Sequence, residues 1–191
     1  MAPANDPLGP HLLTPRIMWM ALMMSNVMIF VVLTLTAQPP QAPPDPIVFI
    51  VLAMIATSAA VAHFLLPERM RQANVAGSKL ETTERVDPNA SVIFRDAAPR
   101  IRVFVDEKAV AATGGRVFQT PFIVGMALAE SIGIDGGVLV AMGFPVEHAV
   151  AFPAIGALLM IRSFPTRKAM LAPLEQHYGA TLASDQPAKS Q

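Results

Sequence analysis

One acidic residue, Glu130, lies near the middle of an apolar stretch of membrane-spanning length, residues 120–142. Placing a charged side chain at the centre of a transmembrane helix costs roughly 2.5 to 3.5 kcal/mol on insertion scales, so such residues usually face a partner or a cavity. A neutral carboxyl at that depth could bind and release a proton, whereas a carboxylate beside other oxygen atoms could hold a cation. Glu130 is therefore the first candidate for chemistry in this chain.

Two further polar side chains follow Glu130 on the same predicted helix. Ser131 is its neighbour, and Asp135 lies about 7.5 Å further along the axis at the usual helical rise. With Ala127 they form a more polar flank beside Glu130. The sequence predicts Glu130, Ser131 and Asp135 as the ion-binding residues. Asp135 could continue a proton path or could simply reach the water at the outer edge of the membrane.

Small residues repeat along this stretch at every fourth position, and we call them the small-residue stripe: Gly125, Ala129, Gly133 and Gly137. Such a stripe lets membrane helices approach each other closely, so these four residues are predicted to pack against other helices. Glu130 is then expected to point into a helix–helix contact. A buried Glu could instead only fix the register of two helices with a hydrogen bond, without exchanging any ion.

Other polar residues in the apolar segments have simpler interpretations. His63 and His148 lie near opposite ends of their spans and are interpreted as interface anchors, so no shared metal site is expected. Asn26 could hydrogen-bond to another helix. Cysteine is absent, which excludes thiolate chemistry. No cofactor is predicted beyond a bound proton or monovalent cation, and one acid without a second catalytic group offers too little machinery for an enzyme.

The composition indicates what positions these residues. The chain has 191 residues, 53% apolar and 15% charged, against about 25% charged in typical soluble domains. This predicts an all-α integral membrane protein, since about 20 apolar residues cross the hydrocarbon layer. Four spans forming two hairpins are expected in a single membrane domain, residues 1–191. Alanines in the second span predict an internal helix. The spans cover about 17–36, 46–66, 120–142 and 146–164.

The spans are connected by one long polar segment, residues 67–119. Its apolar content is too low to predict a separate hydrophobic core. Within it, residues 100–105 alternate basic and apolar side chains, which fits a short strand or an interfacial stretch. Residues 106–113 predict a short helix that stops at the following pair of glycines. A disordered tail is expected over about 180–191.

The basic residues predict the orientation. With four spans, all 14 Lys and Arg residues lie on one side of the membrane. By the positive-inside rule, both termini and the long loop are cytoplasmic, in a multi-pass protein of a bacterial inner membrane. The basic loop 67–119 could contact anionic lipid or a cytoplasmic partner. The net charge is near zero, which gives no reason to expect nucleic-acid binding.

Residues 122–137, FIVGMALAESIGIDGG, resemble the carboxylate-bearing helix of the c subunit (proteolipid) of rotary ATP synthases. That family's helix is led by phenylalanine, is rich in small residues and runs outward from a cytoplasmic loop. The resemblance covers these sixteen residues; elsewhere the second span lacks glycine and the loop is longer. It implies proton or cation binding at Glu130 between adjacent helices of an oligomer.

The sequence thus predicts a small multi-pass membrane protein with a buried protonatable or cation-binding carboxylate at Glu130. It is expected to work in the bilayer as a homo-oligomer or together with other membrane subunits. The alternative is a non-catalytic accessory or scaffold subunit. There Glu130 would be structural, and the small-residue stripe would dock the partner.

Overall fold

The structure is a computed structural model that describes residues 8–37, 43–87 and 99–182. Of these residues, 77% are helical, which confirms a mostly helical chain, although a small hairpin of two strands is also present. The elements are α1 (Gly9–Thr36), α2 (Pro46–Ala76), β1 (Thr82–Val86), β2 (Arg100–Phe104), α3 (Glu107–Ala141), α4 (Val146–Ala149), α5 (Ala151–Arg162) and α6 (Arg167–Tyr178).

Three of these helices, α1, α2 and α3, are long and apolar enough to cross a membrane. A fourth span is present if the helices from Val146 to Tyr178 count as one broken span. The break between α4 and α5 falls at Val150, three residues before Pro153. Proline has no backbone N–H and cannot donate to the carbonyl four residues earlier, which weakens the helix at this point.

The chain divides into two compact units. The first, which we call the membrane unit, comprises Leu13–Met70 and Gln119–Pro165. The second, which we call the polar unit, comprises the described residues of Met1–Leu12, Arg71–Phe118 and Thr166–Gln191. Helix α3 contributes its first residues to the polar unit and the remainder to the membrane unit.

Helix α3 is the best-buried helix of the membrane unit. Half of its most apolar window is buried, against 17% for α2 and 6% for α1. Helix α2, expected to be internal, is covered on one face only, by contacts that include His63 and Pro67. The alanines of α2 therefore form a single packing face, and its other faces carry exposed Ile, Val, Met and Phe side chains.

Hydroxyl groups on the exposed faces of α1 and α2 are satisfied within their own helices. Thr34, Thr57 and Ser58 each donate to the carbonyl four residues earlier, at 2.7 to 2.8 Å. In hydrocarbon an unpaired hydroxyl has no water to bond, so this local bond makes these positions compatible with lipid.

Helix α3 starts in the polar unit and passes straight through the two glycines at which the sequence predicted a stop. The Cβ position of Gly114 lies 3.2 Å from Met170 Cγ, and that of Gly115 lies 3.2 Å from His11 Nδ1. These glycines therefore serve close packing of the N-terminal segment and α6 against α3. The short helix predicted over residues 106–113 is the first part of this longer helix.

A small core does form in the polar unit. β1 and β2 pair antiparallel, with Thr83 opposite Val103, and Val103 also bridges to Thr181 in parallel. The segment predicted as a strand or an interfacial stretch is thus a strand. The fully buried residues of the core of the polar unit come from three distant parts of the chain: Val103, Phe104, Val110, Met170, Leu174 and Leu182.

The core of the polar unit combines Val103, Phe104 and Val110 of segment 67–119 with residues of α6 and the residues after it. Of the tail predicted over about 180–191, Ala180 and Leu182 are buried. Residues 183–191 lie outside the described part of the chain.

Candidate ion-binding strip on helix α3

One side of α3 is left uncovered by the described residues. Ile123 and Ile134 are 38% and 39% exposed there, and Ala127 between them is exposed as well. The predicted ion-binding residues are half-buried and lie on the same side. We call this surface the α3 strip: Ile123, Ala127, Glu130, Ser131, Ile134 and Asp135.

Glu130 lies at one edge of the strip and near the middle of the apolar part of α3. At the usual helical rise it is about 14 Å from Pro121 and about 17 Å from Ala141, the last residue of α3. Within residues 8–37, 43–87 and 99–182, no group forms a hydrogen bond or ion pair with its carboxyl. One flank of Glu130 adjoins buried Gly133, and the other adjoins exposed Ala127. The side chain is therefore only partly enclosed by its own chain.

The three polar residues share the strip but do not converge on one point. At 3.6 residues per turn, Ser131 is rotated about 100° from Glu130 and Asp135 about 140°. The Ser131 hydroxyl donates to Leu128 O at 2.8 Å. Asp135 Oδ2 is buried without a hydrogen-bond partner among the described residues. These residues of one chain therefore do not form a common coordination shell.

The small-residue stripe is fully buried in contacts within the chain. From α2, Pro67 and His63 lie 3.4 and 3.7 Å from the Cβ position of Gly125. From α1, Leu33 lies 2.5 Å from the Cβ position of Gly137. Because α1 and α2 occupy this face, it is not open to a separate partner.

Helix α5 also packs on the stripe. The Cβ position of Gly156 lies 2.6 Å from Ala129 O and 3.3 Å from Gly133 N, so α5 and α3 meet backbone to backbone. A larger residue at Gly156 would separate the two helices. This close approach is the geometry that small residues permit in membranes.

Asn26 is the one polar side chain at the contact of α1, α3 and α5. It is 2% exposed, and its Nδ2 donates to Pro153 O at 3.4 Å. The hydrogen bond predicted between helices is therefore present. A carbonyl can only accept, so the amide nitrogen must face Pro153, and Oδ1 must face Gly133. Oδ1 is buried without a partner in the described part of the chain.

His63 is a buried link between helices, and its interpretation as an interface anchor was wrong. It is 6% exposed, its Nδ1 lies 2.8 Å from Gly125 O, and its Nε2 lies 3.3 Å from Ser163 Oγ. Since the Gly125 carbonyl can only accept, Nδ1 carries the proton. His148 is exposed, with its ring centre 6.5 Å from that of Phe49.

Sequence reasoning could have found the burial of His63. It follows Ala56 and Ala59 on one helical face, and small residues mark the face that packs. Over the described ranges, no group of three or more His, Asp or Glu side chains is placed to hold a metal ion. The α3 strip, with Asn26 close to it, is the part of the membrane unit that carries side-chain carboxyls together with a buried amide.

Comparisons with protein-family models, with curated proteins and with solved structures find no match for this chain. The resemblance of residues 122–137 to the c subunit stays a prediction.

Proposed function

We propose that the protein is a subunit of an oligomeric membrane assembly in which Glu130 is a protonatable or cation-binding carboxylate. The observation that carries this proposal is the position of the acids. Glu130 and Asp135 are the only side-chain carboxyls within the first three predicted spans, and both lie on the uncovered side of α3. An ionised carboxyl at mid-depth is costly, so Glu130 requires a proton, a cation or a partner group.

An assembly is proposed because the α3 strip is more polar than the other exposed helix faces. The exposed faces of α1, α2 and α5 carry large apolar side chains and self-bonded hydroxyls, which suit lipid. The α3 strip instead carries two carboxyls and a serine. A second copy or another membrane subunit lying on the strip would remove these groups from lipid.

Labelling with a membrane-permeable carbodiimide tests the proposal, because this reagent modifies protonated carboxyls in apolar surroundings. Native membranes containing the protein are treated, and the modified residues are identified by mass spectrometry. We expect a label on Glu130 that is lost in Glu130→Gln. The matched control Glu147→Gln, at an exposed acid outside the strip, should leave the Glu130 label unchanged. If Glu130 stays unlabelled at every pH, the proposal fails.

The second candidate is the scaffold subunit in which Glu130 is structural. One observation bears on it directly: the small-residue stripe is occupied by α1, α2 and α5 of the same chain. We propose that a scaffold would instead dock through the uncovered α3 strip. In that case Glu130→Gln, which keeps a hydrogen-bonding side chain of the same size, should preserve the assembly on native gels, whereas Glu130→Leu should disrupt it.

The finer topology also belongs to the proposal. Four spans as two hairpins, with both termini and the basic residues in the cytoplasm, satisfy the positive-inside rule. A bacterial inner membrane is the compartment that fits this charge distribution. The apolar helices of the membrane unit are compatible with such a multi-pass arrangement.

A further inference from the structure

We infer that the ligand of Glu130 is a proton rather than a metal cation, and that the Asn26 carboxamide oxygen accepts the hydrogen bond of the protonated carboxyl. The inference rests on the proposed function of Glu130 and specifies its ligand and its partner group. It combines two groups that the structure leaves without hydrogen-bond partners among the described residues, one on α3 and one on α1.

The side chains of α3 that face Glu130 provide no ligand for a metal cation. On a helix, a side chain faces only the residues three and four positions away. For Glu130 these are Met126, Ala127, Gly133 and Ile134, none of which has a side-chain oxygen. Hard cations such as Ca²⁺ and Mg²⁺ take at least six oxygen ligands converging at about 2.0 to 2.6 Å. A proton requires only one acceptor.

Asn26 provides that acceptor from the neighbouring helix. Its Oδ1 lies directly against Gly133, which is one helical turn from Glu130 and on the same side of α3. Pro153 O holds the amide nitrogen, so the oxygen is presented to α3 and cannot exchange places with the nitrogen without losing that bond. A carbonyl oxygen 98% buried without a donor is destabilising.

A protonated Glu130 can supply the missing donor to the buried Asn26 oxygen. Its neutral carboxyl has an O–H donor, and in the proposed pairing the flexible side chain turns toward Gly133 to reach Asn26. An ionised Glu130 has no donor and would be repelled by the amide oxygen. The pairing therefore favours the neutral form of Glu130, and the Asn26 oxygen gains a partner only when the proton is bound.

Carbodiimide labelling of Glu130 in native membranes, measured across pH with and without NaCl, tests the inference. We expect the labelling rate to fall as pH rises and to be unchanged by Na⁺ at constant ionic strength. Asn26→Leu should lower the rate at neutral pH by about fivefold, the population change that one ordinary hydrogen bond produces. Thr34→Val is the control, since the Thr34 hydroxyl donates to Phe30 O within α1, and it should leave the rate unchanged.

Asn26→Asp separates the hydrogen bond from a packing effect. A carboxylate is a stronger acceptor than an amide, so this variant should label Glu130 faster than wild type, opposite to Asn26→Leu. Equal losses in both variants, or no change in either, would overturn the role of Asn26. Protection by Na⁺ would overturn the proton assignment while leaving Glu130 an ion-binding residue. Absence of any Glu130 label would instead refute the proposed function itself.

Discussion

Replacing Gly133 by alanine should destabilise the membrane unit, whereas the same change at Gly125 should not. A methyl group at Gly133 would overlap the Asn26 carboxamide, with Asn26 Cγ at 2.7 Å. At Gly125 the nearest atom is Pro67 Cγ at 3.4 Å, which is close to ordinary contact. Both glycines lie on the same buried stripe of α3, so Gly125→Ala is a matched control.

The size of the effect follows from three contributions. The gain in helix propensity, up to about 1 kcal/mol, is common to both variants and cancels in their comparison. Overpacking at Gly133 costs about 1 to 3 kcal/mol. Displacing Asn26 from Pro153 O removes a hydrogen bond that contributes about 1 kcal/mol. Gly133→Ala should therefore unfold with about 2 to 4 kcal/mol less stability than Gly125→Ala.

The assay is reversible unfolding of the purified protein in mixed micelles with a rising SDS fraction, followed by far-UV circular dichroism. A double-mutant cycle with Asn26→Ala isolates the contact. Removing the carboxamide should make Gly133→Ala nearly neutral, with a coupling energy of about 1 to 3 kcal/mol. Equal stability of the two single variants, or no rescue in the double variant, would refute the placement of Asn26 on Gly133.

Two further predictions concern the polar unit and the topology. Tyr178 Oη donates to Ser78 O at 2.7 Å and accepts from Leu80 N at 3.2 Å. Tyr178→Phe removes both hydrogen bonds but keeps the ring against Phe104, so it should speed amide hydrogen exchange at residues 78–81. Exchange in α5 is the control, and it should stay unchanged if the effect is local. Because the chain has no cysteine, single variants Lys79→Cys and Glu147→Cys can be probed with a membrane-impermeant maleimide. They should label from opposite sides of the membrane, and labelling from one side would contradict the proposed hairpins.

The three helices long enough to cross a membrane and the packing face of α3 could be predicted from the sequence because both depend on local pattern. Runs of about 20 apolar residues define a span through the thickness of the bilayer, and a repeat of small residues every fourth position marks one face of a helix. Gly125 and Gly137 are indeed buried, against α2 and α1 respectively. Asn26 was identified as a polar group in an apolar run for the same local reason.

The features that the sequence analysis missed depend on contacts between distant residues. Gly114 and Gly115 are stop signals by local rules, yet they permit close packing of Met170 and His11. The core of the polar unit joins Phe104 and Leu182, which no window of the sequence brings together. His63 was assigned to the interface from its position near a span end, but its burial depends on Gly125, 62 residues away.

The structure also changes how the two candidate functions compare. The sequence alone allowed a scaffold to dock through the small-residue stripe, with Glu130 serving only to fix the packing of two helices. The stripe is occupied by α1, α2 and α5, so in both proposals the partner within the membrane lies on the α3 strip, which includes Glu130. Assembly and ion binding are then linked physically, because any partner that covers the strip also changes the environment of the carboxyl. Two measurements separate them. Carbodiimide labelling of wild-type Glu130 that falls as pH rises indicates proton binding, while intact assembly in Glu130→Gln with disruption in Glu130→Leu indicates that a neutral hydrogen-bonding group suffices for assembly.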